Sequence, residues 1–131
     1  MTDEQKRDLV IYRFACAEKT FSEVGILMQN NLYNTAVNRL YYACYYAVSA
    51  LLLNNGLNTK THSGAIQSLG LHFVDTGIIS KESGRYYSKI FSMRRKGDYE
   101  DYIDYDQSDV LELIKPAEEL IYRIQKILFK T

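Results

Sequence analysis

The stretch YNTAVNRLYYACYYAVSALLL, residues 33 to 53, constrains this chain most. Between Glu23 and Lys60 its Arg39 is the only formal charge. Val37, Leu40, Tyr41, Cys44, Val48 and Leu51 recur at the i, i+3, i+4 spacing of one helical face. The remaining positions are mainly Tyr, Ala and Leu, so this helix is apolar nearly all round. Such a helix is enclosed by other elements, which makes it the predicted centre of the fold. A guanidinium on it needs a partner. The stretch from Leu40 to Leu53 falls short of the ~20 apolar residues that cross a bilayer, and polar residues bound both ends. No membrane association is expected.

Sixteen bases balance sixteen acids, which removes a bulk electrostatic argument for nucleic acid or an anionic membrane surface. The charged beginning MTDEQKRDL does not resemble a signal peptide. Cys16 and Cys44 fall on helix-interior positions and read as reduced core thiols, consistent with a cytoplasmic protein. Neither has the neighbouring ligands a zinc site requires. Neither a metal nor a cofactor is expected.

The helical repeat begins after Thr2, which with Gln5 forms a capping box, and runs to about Gln29. The central helix spans about Tyr33 to the Asn54-Asn55-Gly56 stop, with Gly56 in the left-handed closing position. After a loop at 57–61, Thr61 or Ser63 caps a third helix through Ile66, Leu69 and Phe73. Gly70 inside it predicts weakness, a kink or close packing, and Thr76-Gly77 ends it. Ser80 caps a fourth helix that reaches Arg95 or Lys96, with Gly97 as its stop. A polar loop, 98–107, precedes a last helix capped by Asp106 or Ser108, which continues through Leu111, Ile114, Leu120, Ile124 and Leu128. Pro116 inside it predicts a kink or break. No strand pattern or repeat is present, so the expected architecture is all-α: one domain over residues 1–131, an antiparallel bundle of about five helices.

Charge is uneven along the chain. Lys81, Arg85, Lys89, Arg94, Arg95 and Lys96 face only Glu82 within the fourth helix. The acidic run Asp98, Glu100, Asp101, Asp104, Asp106 and Asp109 follows. Arg suits phosphate through its planar fork, and Tyr99, Tyr102 and Tyr105 could stack on bases. Most charge runs are solvated faces, however, and the interleaved acids argue against a long nucleic-acid track. The two histidines are far apart in sequence. His72 sits in an apolar pattern and reads as structural. His62 lies just before helix three, where backbone amides favour an anion, although a capping role is equally consistent. Tyr41-Tyr42 and Tyr45-Tyr46 read as core filler or, alternatively, a nucleobase cage.

Residues Ala36 to Ala43 (AVNRLYYA) with Tyr45-Tyr46-Ala47, then Gly56-Leu57 to Lys60-Thr61-His62, then Arg94 to Gly97-Asp98-Tyr99 resemble the HEPN domain (higher eukaryotes and prokaryotes nucleotide-binding). The resemblance covers nearly the whole chain. It implies a five-helix bundle that commonly dimerises and is often encoded beside a minimal nucleotidyltransferase as a toxin–antitoxin pair. Many members are metal-independent ribonucleases in which an Arg holds the scissile phosphate and a His, separated from it by four to six intervening residues, transfers the proton. Counted from Arg94, those positions here hold Tyr99, Glu100 and Asp101. The resemblance therefore implies a binding module that contacts nucleotide or RNA phosphate through Arg39, Arg94, Arg95 and Tyr99. The enzymatic alternative is a divergent ribonuclease with Arg94 on the phosphate and Glu100, Asp101 or His62 as the proton-transfer group. Tyr102 occupies the spacing at which some family toxins are silenced by adenylylation. A third alternative is a structural dimer, in which Arg39 would pair with an acid such as Asp98.

Overall fold

The computed structural model describes residues 1–130. They form an all-α bundle whose elements follow the predicted order. Helix α1 (Asp3–Ser22) starts at Thr2, whose hydroxyl accepts the Gln5 amide while the Gln5 side chain accepts the Thr2 amide. The predicted first helix is split: a one-residue turn at Glu23 separates α1 from α2 (Val24–Gln29). Asn31, at φ 58, closes the segment.

Helix α3 (Tyr33–Asn54) matches its predicted bounds and packs against α1, α2 and the helices that follow. Ala36, Val37, Leu40, Tyr41, Ala43, Cys44, Ala47, Val48, Ala50 and Leu51 on it are wholly buried. Four of these are alanines, and side chains that small let neighbouring helices approach closely. Gly56 takes φ 71, the predicted left-handed stop. Cys44 is buried and Cys16 half-buried, both as free thiols.

Helix α4 (His62–Leu69) is capped by Thr61, which accepts the Gly64 amide at 2.9 Å. A Cβ at Gly64 would sit 2.9 Å from that same hydroxyl oxygen, so the tight cap requires glycine there. From Gly70 the chain widens into a π-helical turn (Gly70–Val74), in which the Asp75 amide donates five residues back to the Gly70 carbonyl at 2.8 Å. Gly70 has open space around its Cα, so the change of pitch, not close packing, accounts for the predicted weakness. His72 is exposed on this turn, contrary to its expected place in an apolar interior. The wider turn rotates it away from the face that the α-helical repeat assigned to it.

Helix α5 (Lys81–Tyr99) is capped by Ser80 and runs past Gly97 for another half-turn. Gly97 is not its stop. A Cβ there would lie 3.1 Å from the Tyr105 ring, so this glycine admits a ring from the following loop. The loop is correspondingly shorter than the predicted 98–107. It is held by Asn34 of α3, whose side chain donates to the carbonyl of Ile103 (2.8 Å) and accepts the Tyr105 amide (2.9 Å). Tyr105 in turn donates its hydroxyl to the Met93 carbonyl at 2.8 Å. Asn34→Ala would leave these half-buried backbone groups without protein partners. The expected loss is about 2 kcal/mol in a urea melt; a loss under ~0.5 would mean that water replaces the clamp at no cost.

Helix α6 (Gln107–Phe129) begins with a reciprocal Asp106–Asp109 box and is continuous through Pro116, without the expected break. Burial of Leu113, Ala117, Leu120 and Ile124 against the bundle holds it across the missing amide. Tyr86 of α5 also donates to the Leu113 carbonyl at 2.8 Å. Leu111, expected in the core, is exposed.

Candidate functional site

The site forms where α5 crosses the middle of α3 and meets the start of α4. Arg94 projects from α5 into a nest of aromatic rings and is only 5% exposed. Its Cζ lies 4.9 Å from the Tyr41 ring centroid, 5.5 Å from those of Tyr42 and Phe91, and 5.9 Å from that of Tyr99. Tyr41 and Tyr42 reach it because α3 and α5 pack in contact, and Phe91 because it lies three residues earlier on α5. Tyr99 reaches it only because α5 continues beyond Gly97.

The guanidinium is thinly compensated. Among the described residues its one carboxylate within 4 Å is Asp98, one turn further along α5, at 3.8 Å and with a quarter of its side chain exposed. Its buried Nε has no hydrogen-bond partner among the described residues. Aromatic faces attract a cation but do not replace the full hydration it loses on burial.

Arg39 does not pair with Asp98. Its Nε and terminal nitrogen both donate to the neighbouring Asn38 side-chain oxygen (3.0 and 2.7 Å), while the Asn38 amide donates to Asp98 at 2.9 Å. The carboxylate expected for Arg39 thus serves Arg94, with Asn38 between them. Arg39 is half-buried and lies 5.3 Å from the Tyr42 centroid, so both guanidinium groups rest against one ring.

His62, the first residue of α4, completes the cluster. Its Nδ1 shares a hydrogen bond with the Tyr41 hydroxyl, and its ring lies 4.5 Å from the Tyr45 ring, centroid to centroid. Partial burial and then the nearby Arg94 charge lower its pKa from the ordinary 6.5, so the imidazole is neutral at pH 7. Burial raises the Tyr41 hydroxyl well above its usual range, so it stays protonated, although Arg94 pulls the other way. If Tyr41 donates to Nδ1, the outer Nε2 carries hydrogen and is a donor. If Nδ1 donates, Nε2 is a free base.

The depressed pKa has a consequence for stability. Below about pH 6.5 the unfolded chain protonates this histidine more readily than the folded protein does. His62 therefore adds nothing to the pH dependence well above 6.5 and destabilises the fold as the pH falls through that value. Thermal melts between pH 5 and 8 are expected to show a smaller acid-side decline for His62→Gln than for the wild type. Parallel profiles would mean that its pKa is the same in both states.

The other candidates lie apart. Arg95 is exposed, and the ring its Cζ approaches, 5.7 Å from the centroid, is that of Phe91, the neighbour it shares with Arg94 and not one of the tyrosines. Glu100 and Asp101 sit in the turn after α5, exposed, and among the described residues neither forms an ion pair with Arg94. Tyr102 is fully exposed at φ 64. Among the described residues no three of His, Cys, Asp and Glu gather as metal ligands. Asn34 and Asn38 were not singled out from the sequence. Asn38, adjacent to an arginine that needs a partner, carried the one local signal.

Comparison with known families matches the HEPN domain over residues 12–127. The chain is 35% identical to a UPF0332 protein of Thermotoga maritima over 124 residues, covering 95% of this chain and 94% of that one. It is 41% identical to the protein named "Putative toxin MJ0605" of Methanocaldococcus jannaschii over 113 residues, covering 86% and 83% of the two chains. A second protein of that organism, "Putative toxin MJ0142", is 29% identical over 112 residues, covering 86% and 76%. The match takes in the aromatic nest, the Asn38 bridge and the helix that carries Arg94: the chain belongs to the HEPN domain family.

Proposed function

We propose that this protein is a toxin-like HEPN module that binds nucleotide or RNA phosphate, acting as a homodimer with a nucleotidyltransferase-type partner. One observation carries the binding assignment: Arg94, almost wholly buried, has among the described residues a single carboxylate at 3.8 Å and a buried Nε without a partner. A phosphate oxygen would supply the missing negative charge, and the tyrosines around it offer faces for a base. Arg39 is close enough to the same ring to share the anion. Names of relatives that denote toxins support the toxin-like role.

A metal-independent ribonuclease is the second reading, and one contact favours it. His62 lies outside the family's usual position, yet the fold brings its neutral imidazole against Tyr41, the ring that also packs on Arg94. In the tautomer with a free Nε2 it is competent to accept a proton from a 2′-hydroxyl. Glu100 and Asp101, exposed in the turn after α5, are poorer candidates.

The test is a titration of AMP and UMP, followed by NMR, into wild type and Arg94→Ala. Binding at least ~10-fold weaker in the variant is expected, the loss of a charge-assisted contact of about 1.4 kcal/mol or more. Equal affinity would overturn the assignment. Incubation of RNA without metal, beside His62→Gln, separates the readings: cleavage lost in that variant makes the protein an enzyme. Capture of a minimal nucleotidyltransferase by the tagged chain from its own cells tests the partner, and its absence would overturn that part of the reading.

A further inference from the structure

Helical phase gathers onto one face cations that the sequence spreads along α5. At about 100° per residue, Lys81, Arg85, Lys89, Arg95 and Lys96 fall within an arc of roughly 120° on α5. All five are exposed. Ser88 and Ser92, also exposed, lie between them, and Tyr99 closes the row. No acid shares this arc. Glu82 sits at its margin, Asp98 is turned toward Asn38, and the remaining acids of the run begin only after α5 has ended. The acids nearest the flanks are Asp75, in the cleft with Lys81 and Arg85, and Glu119, in the cleft with Arg85 and Lys89. Among the described residues no carboxylate comes within 4 Å of any of the five cations.

We propose that this face of α5 is a track for the backbone of a single-stranded RNA, separate from the Arg94 nest and leading to it. Lys81, Arg85 and Lys89 rise by roughly 6 Å per step, comparable to the separation of successive phosphates on an extended strand. The serines add neutral donors. Tyr99, 74% exposed and 5.9 Å from the Arg94 guanidinium carbon, stands where the track meets the nest and offers a stacking surface. Over Lys81 to Tyr99 the face is about 27 Å long. An acidic protein would also be attracted to the cations, but the row of serines ending in an exposed aromatic ring suits a nucleic acid better. The acidic turn beyond Tyr99 repels phosphate and so sets where the track stops. Only the destination of the strand rests on the reading of Arg94 as a phosphate site.

The test is fluorescence anisotropy with a labelled oligouridine of about ten nucleotides, repeated across a salt series. The variants are Lys81→Gln/Arg85→Gln/Lys89→Gln and, separately, Arg94→Ala. The triple variant alters exposed side chains only and should melt as the wild type does. It is expected to flatten the plot of log K against log salt by roughly 2, three phosphates at ~0.7 each for a single strand, with AMP affinity unchanged. An unchanged slope in the triple variant, or no oligouridine binding by the wild type, would overturn the track. Polyglutamate of equal charge binding as tightly as the RNA would also overturn it, in favour of an acidic protein partner. Oligouridine binding that depends on the three cations but not on Arg94, with no AMP binding at all, would uphold the track and overturn the Arg94 assignment.

Discussion

Tyr41→Ala should destabilise the protein by about 3–5 kcal/mol in a urea or thermal melt, the range for truncating a buried aromatic side chain. Tyr41 has no exposed surface, and its ring is the common neighbour of the site: Tyr87 stacks at 6.1 Å, Phe91 lies at 5.6 Å and His62 at 5.5 Å, centroid to centroid. The same ring is the nearest face to the Arg94 guanidinium. Truncation opens a cavity between α3 and α5 and removes part of what offsets a buried charge, so the upper half of the range is expected. Tyr41→Phe keeps every ring contact and loses only the hydroxyl shared with His62. Its cost should stay near 1 kcal/mol. Equal losses in the two variants would place the stabilisation in that hydrogen bond and not in packing.

Asp98→Ala is expected to cost about 2–3 kcal/mol. Removing one partner of a buried ion pair typically costs ~3–5 kcal/mol, because the other charge stays buried without compensation. Here the carboxylate is a quarter exposed and 3.8 Å away, which moves the expectation below that range. The diagnostic is the double variant Arg94→Met/Asp98→Leu. With both charges gone the nest becomes apolar, and stability should return to within about 1 kcal/mol of wild type. A double variant as unstable as Asp98→Ala would show that the guanidinium fills space no methionine can fill. Asp98→Ala should also tighten nucleotide binding, since the Asp98 carboxylate would no longer compete for Arg94, whereas a purely structural pair would leave affinity unchanged.

The elements were legible where local chemistry determines them. Thr2 with Gln5, Ser80, and Asp106, one of two cap candidates beside Ser108, cap their own helices through contacts within three residues. The central helix was legible because an all-round apolar pattern has few other solutions. Gly97 misled because a glycine near the end of a pattern usually marks a stop. What it admits is the Tyr105 ring, eight residues on and brought there by Asn34 of another helix. The Arg39 expectation failed for a related reason. The sequence showed an arginine in an apolar helix but not which side of that helix it occupies, and a neighbouring amide satisfied it. Arg94 and Asp98, at i and i+4, were readable as a local pair. That His62 would lie against Tyr41 was not, since the intervening segment crosses between helices and its course is set by packing.

Because α3 is buried on nearly every side, no part of the bundle keeps a core without it. A segment containing α1 and α2 alone, or α5 and α6 alone, would expose the apolar faces they turn toward α3. Stable sub-structures are therefore not expected, and the amide hydrogens along Leu40 to Leu51 should exchange only through global opening. Unfolding should be a single cooperative event, with near and far ultraviolet signals lost together. The Arg94 nest then has no separate melting of its own: it is present whenever the fold is present.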